Sequence, residues 1–272
     1  MRNVIRSFAL VAWVILGAML VPARDAGAVV LYAVQQGNAN LVTVDSTTGV
    51  VSNVGLLPAG SNPSDSVQGL TGAGSTLLYT DGNGLPGVHE LDPANAALIQ
   101  SFALAGVNNR GGLSFDSGAN ALYTVNDGSP IARQSGLGGA VNLAFAAINP
   151  LFPGAIGGDD QGRHFAQGNV IGAGNAIYEF DPASGAVLNS LPLPAGQVPT
   201  GLAYDGTFLY ASAIQSSTLF TLDPNSGAIV SSVSVNGAPL TALAYVSVPE
   251  PTTLLLLGLA LAALAGASRR RG

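Results

Sequence analysis

IYEFDPASGAVLNSL, residues 177–191, decides the fold. A β-prone run, a turn opening on Asp181-Pro182, a glycine at 185 and a second β-prone run make a hairpin. The aspartate accepts backbone hydrogen bonds, proline presets φ, and Gly185 takes the left-handed position that closes the turn. The same unit recurs without gaps as NLVTVDSTTGVVSNV (40–54), VHELDPANAALIQSF (88–102) and LFTLDPNSGAIVSSV (219–233). Its aspartates, Asp45, Asp92, Asp181 and Asp223, stand 47, 89 and 42 residues apart. The long interval is two periods of about 44, and a worn copy, PIARQSGLGGAVNLAF (130–145), fills the missing place. Five copies share one period.

A second hairpin alternates with the first: GLTGAGSTLLYT (69–80), GLSFDSGANALYT (112–124) and GLAYDGTFLYAS (201–212), with a degenerate form in AIGGDDQGRHFAQGN (155–169). Two hairpins per period give four strands per repeat, the pattern of a β-propeller blade. TALAYVSV (241–248) matches only the first strand of this second unit, and VVLYAV (29–34) only its second strand. The expected fold is therefore a single all-β propeller of five blades, with the N- and C-terminal strands sharing one blade to close the ring. An open solenoid or a two-sheet sandwich leaves those half-units unexplained. The repeats resemble the Leu-x-Leu-Asp-Pro-x-Ser-Gly propeller repeat of bacterial surface and periplasmic proteins, a likeness that implies fold and no activity.

The composition narrows the chemistry. The chain has no cysteine, so disulfides and thiolate metal sites are absent, and no lysine, so Schiff-base chemistry is absent too. Between residues 29 and 250 three arginines face fourteen acids, a net charge of −11. A body of that sign lacks the basic footprint that nucleic acid requires.

Both ends are apolar, with different meanings. Residues 1–28 read as a secretory signal peptide: a basic start, an apolar run, then a small-x-small cleavage site at Ala26 and Ala28. Residues 29–248 form the propeller, and 249–272 a separate tail. From Thr252 to Ser268 the tail offers 17 residues, about 25 Å of helix, the short limit for a transmembrane helix. Arg269, Arg270 and Arg271 follow it and would stay on the cytoplasmic side. Val248, Pro249, Glu250 and Pro251, the apolar stretch and the arginine cluster together resemble the PEP-CTERM sorting signal of Gram-negative bacteria. The resemblance implies an inner-membrane-anchored precursor recognised by an exosortase-type processing enzyme. It also implies a destination in the cell envelope or extracellular matrix, with polysaccharide or envelope proteins as partners.

Groups suited to chemistry are few. His89 holds a place filled by Val42, Tyr178 and Phe220 in other copies, which reads as a packed, hydrogen-bonded histidine. Glu90 and Glu179 share the next place and read as solvated strand positions. Asp81 and Asn83 lie in DGNGLPG (81–87), a glycine-rich turn without the bidentate Glu of a calcium loop. The densest cluster is Asp159, Asp160, Arg163 and His164, where the repeat is most degenerate; it is the candidate ligand site, though its spacing matches no metal motif. No nucleophile elbow, phosphate loop or paired-histidine zinc motif occurs. The expectation is an exported, non-catalytic propeller with a binding or structural role and no cofactor. The rival is a metal-dependent hydrolase or lactonase-like propeller enzyme.

Overall fold

Each copy of the Asp-opened hairpin forms the outer half of a four-stranded antiparallel sheet, and the second hairpin forms the inner half. The computed structural model describes residues 28–38, 40–58, 68–81, 85–104, 109–126, 129–139, 141–145, 155–159, 162–170 and 174–247. Blade 1 contains β1 (Val30–Gln35), β2 (Asn40–Asp45) and β3 (Val51–Leu56). Blade 2 is β4 (Gln68–Ala73), β5 (Thr76–Asp81), β6 (Leu85–Leu91) and β7 (Leu98–Phe102). Blade 3 is β8 (Asn109–Asp116), β9 (Ala121–Asn126), β10 (Ser129–Ser135) and β11 (Val141–Phe145). Blade 4 is β12 (Ile156–Gly158), β13 (His164–Val170), β14 (Gly174–Phe180) and β15 (Val187–Leu191). Blade 5 is β16 (Gly201–Tyr204), β17 (Leu209–Ala213), β18 (Ser216–Leu222) and β19 (Ile229–Ser234). β20 (Leu240–Ala244) then returns to pair antiparallel with β1, from Tyr32 opposite Ala244 to Gln35 opposite Leu240. The ring is thus a five-bladed propeller closed by the two chain ends, as the half-units required. The worn copy, residues 130–145, is a paired hairpin like the rest. Residues 1–27, which hold Ala26 and all of the expected signal peptide but Ala28, and the tail from Val248 onward lie outside the described residues.

The turns follow from their sequence. Asp45 Oδ1 accepts the N–H of Thr47 and of Thr48, Asp181 Oδ1 those of Ala183 and Ser184, and Asp223 Oδ1 those of Asn225 and Ser226, all at 2.7–3.0 Å. The residue four beyond each aspartate returns its N–H to the aspartate's carbonyl from a left-handed conformation. Glycine holds that place at 49, 185 and 227, with φ near +70°. Blade 2 places Ala96 there at φ +60°. Gly227 also has no room for a side chain, because a Cβ would stand 2.6 Å from Pro192 Cδ of blade 4.

The core lies between blades. Leu31, Leu77, Leu209 and the large rings Tyr79, Tyr123, Tyr178 and Phe165 are fully buried. In the centre, β4 packs on β8, β8 on β12, β12 on β16, β16 on β20 and β20 on β4. Glycine permits this approach: a Cβ on Gly157 would lie 2.6 Å from the Leu202 carbonyl carbon. At the end where Gln68, Thr200 and Ala242 line the axis, no space for a water remains. There Thr241 Oγ1 donates to Gln68 Oε1 at 2.5 Å.

Candidate functional site

The axis opens at its other end into a cup of about 150 Å³, formed where the inner strands finish. Its wall combines Phe115, Tyr204 and Tyr245 with Asp159, Asp205 and Ser247, and glycines 72, 74, 158 and 206 keep the floor free of side chains. All these residues stand at or just past the ends of β4, β8, β12, β16 and β20. The cup is therefore a property of the ring, assembled from five blades.

Its carboxylates are held in place. Asp205 Oδ1 accepts the N–H groups of Thr207 and Phe208, both at 2.7 Å, and Oδ2 accepts the Tyr210 hydroxyl at 2.9 Å. Burial, then the charge of Asp205 beside it, raises the Tyr210 phenol well above its usual range, so it stays a donor. Asp159 Oδ1 accepts the backbone N–H of Arg163 at 3.0 Å.

The four clustered residues of the sequence separate in space. Asp159 opens on the cup, and Asp160 lies outside the described residues. Arg163 turns sideways as a tie between blades. Its Nε and Nη2 donate to the two oxygens of Glu179 at 2.7 and 3.0 Å, and Nη2 also reaches the carbonyl of Pro224 and Oδ1 of Asn225 at 3.3 Å. Its Nη1 donates to the Tyr204 hydroxyl at 3.3 Å, with the guanidinium 5.2 Å from the Phe165 ring centroid and 5.4 Å from that of Tyr204. The Glu179 hydrogen bonds raise the arginine's pKa further above its ordinary value. Glu179, expected as a solvated strand residue, is instead the fixed half of this pair, its side chain only 12% exposed. Glu90, at the matching place, is hydrogen-bonded by Thr76 Oγ1 and Gln100 Nε2, both at 2.7 Å.

His164 is wholly buried. It stands opposite Phe180, the residue preceding Asp181, just as Leu31, Leu77 and Leu209 stand opposite Val44, Leu91 and Leu222. The histidine thus occupies the slot of a core leucine. Its Nδ1 lies 2.8 Å from Ser114 Oγ, and its Nε2 3.7 Å from Asp116 Oδ2. A serine, a histidine and an aspartate in sequence of contact invite comparison with a nucleophilic triad. Ser114 is itself fully buried, however, and the aspartate stands beyond hydrogen-bond distance, so a substrate has no approach to that hydroxyl. The room for this pair comes from Gly158, whose Cβ would collide with both the imidazole and the serine oxygen. His89 is likewise buried, its Nδ1 2.9 Å from Ser101 Oγ. Among the described residues no three metal-ligating side chains gather.

Sequence reasoning located Asp159 and overlooked the cup's aromatic wall. Tyr204 and Tyr245 share one place in the repeat, GLAYDG and TALAYVSV, with Phe115 of GLSFDS beside them. That recurrence of rings at the end of the inner strand was the available signal.

These features define a propeller protein with a single-mouthed axial cup. The chain carries a PEP-CTERM protein-sorting motif at residues 247–271, which implies recognition by exosortase and an exported, membrane-anchored precursor in a Gram-negative bacterium. No curated protein matches the chain in sequence. Among solved structures, a chain of a nidogen/laminin complex superposes with TM-score 0.55 at 10% identity, covering 79% of this chain and 97% of that one. Glutaminyl cyclase of Myxococcus xanthus superposes with TM-score 0.48 at 18% identity, covering 62% of this chain and 70% of that one. The first of these likenesses speaks for the fold alone.

Proposed function

We propose that the protein is a non-catalytic binding module of the cell envelope or extracellular matrix, taking polysaccharide at the axial cup. One observation carries this reading: the half-buried ring of Tyr245, backed by the buried Phe115 and Tyr204, and two braced carboxylates surround an open, glycine-floored mouth. Ring faces pack on the C–H faces of a sugar, and fixed carboxylates accept hydroxyl hydrogens, the mix of apolar wall and few polar anchors that small-ligand sites use. At about 150 Å³ the cup takes one residue or a chain end rather than enclosing a longer segment. Support also comes from Arg163 and His164, whose polar atoms make contacts to blades 5 and 3. Their bonds favour a structural role for the imidazole, the group best suited to acid–base work, and for the guanidinium beside it.

The test is binding of polysaccharide isolated from the producing cells to the full chain in detergent. Tyr245→Ala should weaken binding about tenfold, the loss of one stacked ring. His164→Leu combined with Ser114→Ala should leave it unchanged. Hydrolysis of an ester or lactone by the full chain, lost in that double variant, would overturn the reading and favour the hydrolase.

A further inference from the structure

We infer that the tether turns the cup toward the membrane while the sorting tail is attached, so that the candidate binding mouth faces a narrow gap in the precursor and opens fully only on release. Ser247, three residues beyond the end of the last strand, β20, is part of the cup's rim. β20 therefore delivers the chain to the mouth itself, at the centre of one face. Only Val248–Thr253, six residues, separate Ser247 from the leucine run beginning at Leu254. Fully extended, six residues reach about 20 Å. No point of the mouth can then stand far from the bilayer, whereas the opposite face is removed by a further blade height, also about 20 Å for strands of this length.

Charge sets how closely the two surfaces approach. The Asp-opened turns after β2, β6, β14 and β18 lie on the mouth side, because those strands run parallel to the inner strands that end there. Asp45, Asp92, Asp181 and Asp223 therefore ring the mouth, joined by Asp116, Asp159 and Asp205 nearer the axis. The described cations on that side, Arg133 and Arg163, are hydrogen-bonded to Tyr123 and Glu179. Such a face repels anionic headgroups over a Debye length of about 10 Å at 0.1 M salt. The greatest reach of six residues exceeds that length, so the anchor permits the body to stand off without contact. Ions and small sugars enter such a gap freely, but a bulky polysaccharide does not. The orientation follows from the tether alone; its bearing on ligand access rests on the cup reading above.

The absence of cysteine makes the orientation measurable without any ligand. A single Thr207→Cys or Ser75→Cys, exposed on turns beside the mouth, and a single Gln215→Cys, exposed on the turn at the far end of β17, each accept one donor dye. With the full chain in nanodiscs carrying acceptor dye on the headgroups, the transfer rate at 207 and 75 should exceed that at 215 several-fold. Raising the anionic lipid fraction should lower it, and salt should restore it. Inserting twenty Gly/Ser residues after Ser247 should erase the difference. Equal transfer at both faces, a stronger signal at 215, or a difference indifferent to the inserted residues would overturn the inference. None of these outcomes depends on whether the cup binds polysaccharide.

Discussion

Ala96 shows how two opposing terms meet in one residue. Its left-handed conformation, φ +60°, costs a residue with a Cβ about 1–2 kcal/mol. Yet its methyl is 3% exposed within the cluster of Val34, Leu57 and Leu91, worth about 0.8 kcal/mol, and alanine limits the unfolded chain by about 0.4–1 kcal/mol more than glycine does. Ala96→Gly should therefore change stability by less than about 0.5 kcal/mol in urea denaturation. Gly227→Ala, at the equivalent place, adds strain to a clash with Pro192 and should cost about 2–4 kcal/mol. His164 is the second instructive residue. His164→Ala removes a buried ring and strands Ser114, a loss of about 2–4 kcal/mol. His164→Leu with Ser114→Ala restores the leucine that three other blades use and should unfold within about 1 kcal/mol of the parent. The slot was legible in the repeat: aligning the residue before each turn aspartate with its cross-strand partner puts His164 among leucines. What sequence could not supply was the destination of Arg163. Its partners Glu179, Tyr204 and Asn225 are 16, 41 and 62 residues away, and only the curvature of the ring brings blade 5 alongside blade 4.

The hairpin turn is the element on which the sequence was most explicit, because its chemistry is local. An aspartate, a left-handed glycine and two runs of β-prone residues sit within fifteen positions and need no distant partner. The same locality makes the turns sensitive to acid. Hydrogen bonds from the Thr47 hydroxyl and from the N–H groups of Thr48 and Thr47 lower Asp45 from 3.8 to about 2, and backbone N–H groups lower Asp181 and Asp223 in the same direction. A carboxylate depressed in the folded state contributes stability above its unfolded pKa and loses it as pH falls through the folded value. The melting midpoint should thus hold steady above about pH 5 and decline between about pH 4 and pH 2. Replacing Asp45, Asp181 and Asp223 together by Asn keeps an acceptor in each turn and should flatten that decline. At the next size up, the tie between blades 4 and 5 depends on guanidinium shape. Arg163→Ala should lower stability by about 1–3 kcal/mol, discounted because its side chain is 30% exposed. Arg163→Lys should recover less than half of that, since an ammonium cannot donate bidentately to Glu179 and lie against two rings.

At the scale of the molecule, the fold depends on a bond between chain ends that the repeats alone do not provide. Five inner strands surround the axis, but one of them, β20, has no sequence neighbour in its own sheet and is held there by β1. The pairing buries Leu31 and Ala33 with Leu240 and Leu243 in one cluster and Val34 with Ala242 in another, all nearly inaccessible to solvent. It also places the first and last strands of the body in one blade, so that the strand following residues 1–28 holds the strand that precedes the sorting motif. Without β1, blade 1 splits: β20 loses its only neighbour within the sheet and β2 becomes an open edge, the geometry that recruits foreign strands. A full chain lacking residues 29–38 should therefore lose its cooperative thermal transition and associate into oligomers at micromolar concentration. Since what is missing is one strand with a defined register, the peptide VVLYAVQQGN (29–38) supplied in trans should dock between β20 and β2, restoring a monomer and a single transition. A scrambled peptide of the same composition should not, because shifting the alternation turns Leu31 and Ala33 away from the core. A shortened chain that stays monomeric and melts cooperatively unaided would show that the inner ring closes by packing alone, and the shared blade would then be a consequence of closure rather than its cause.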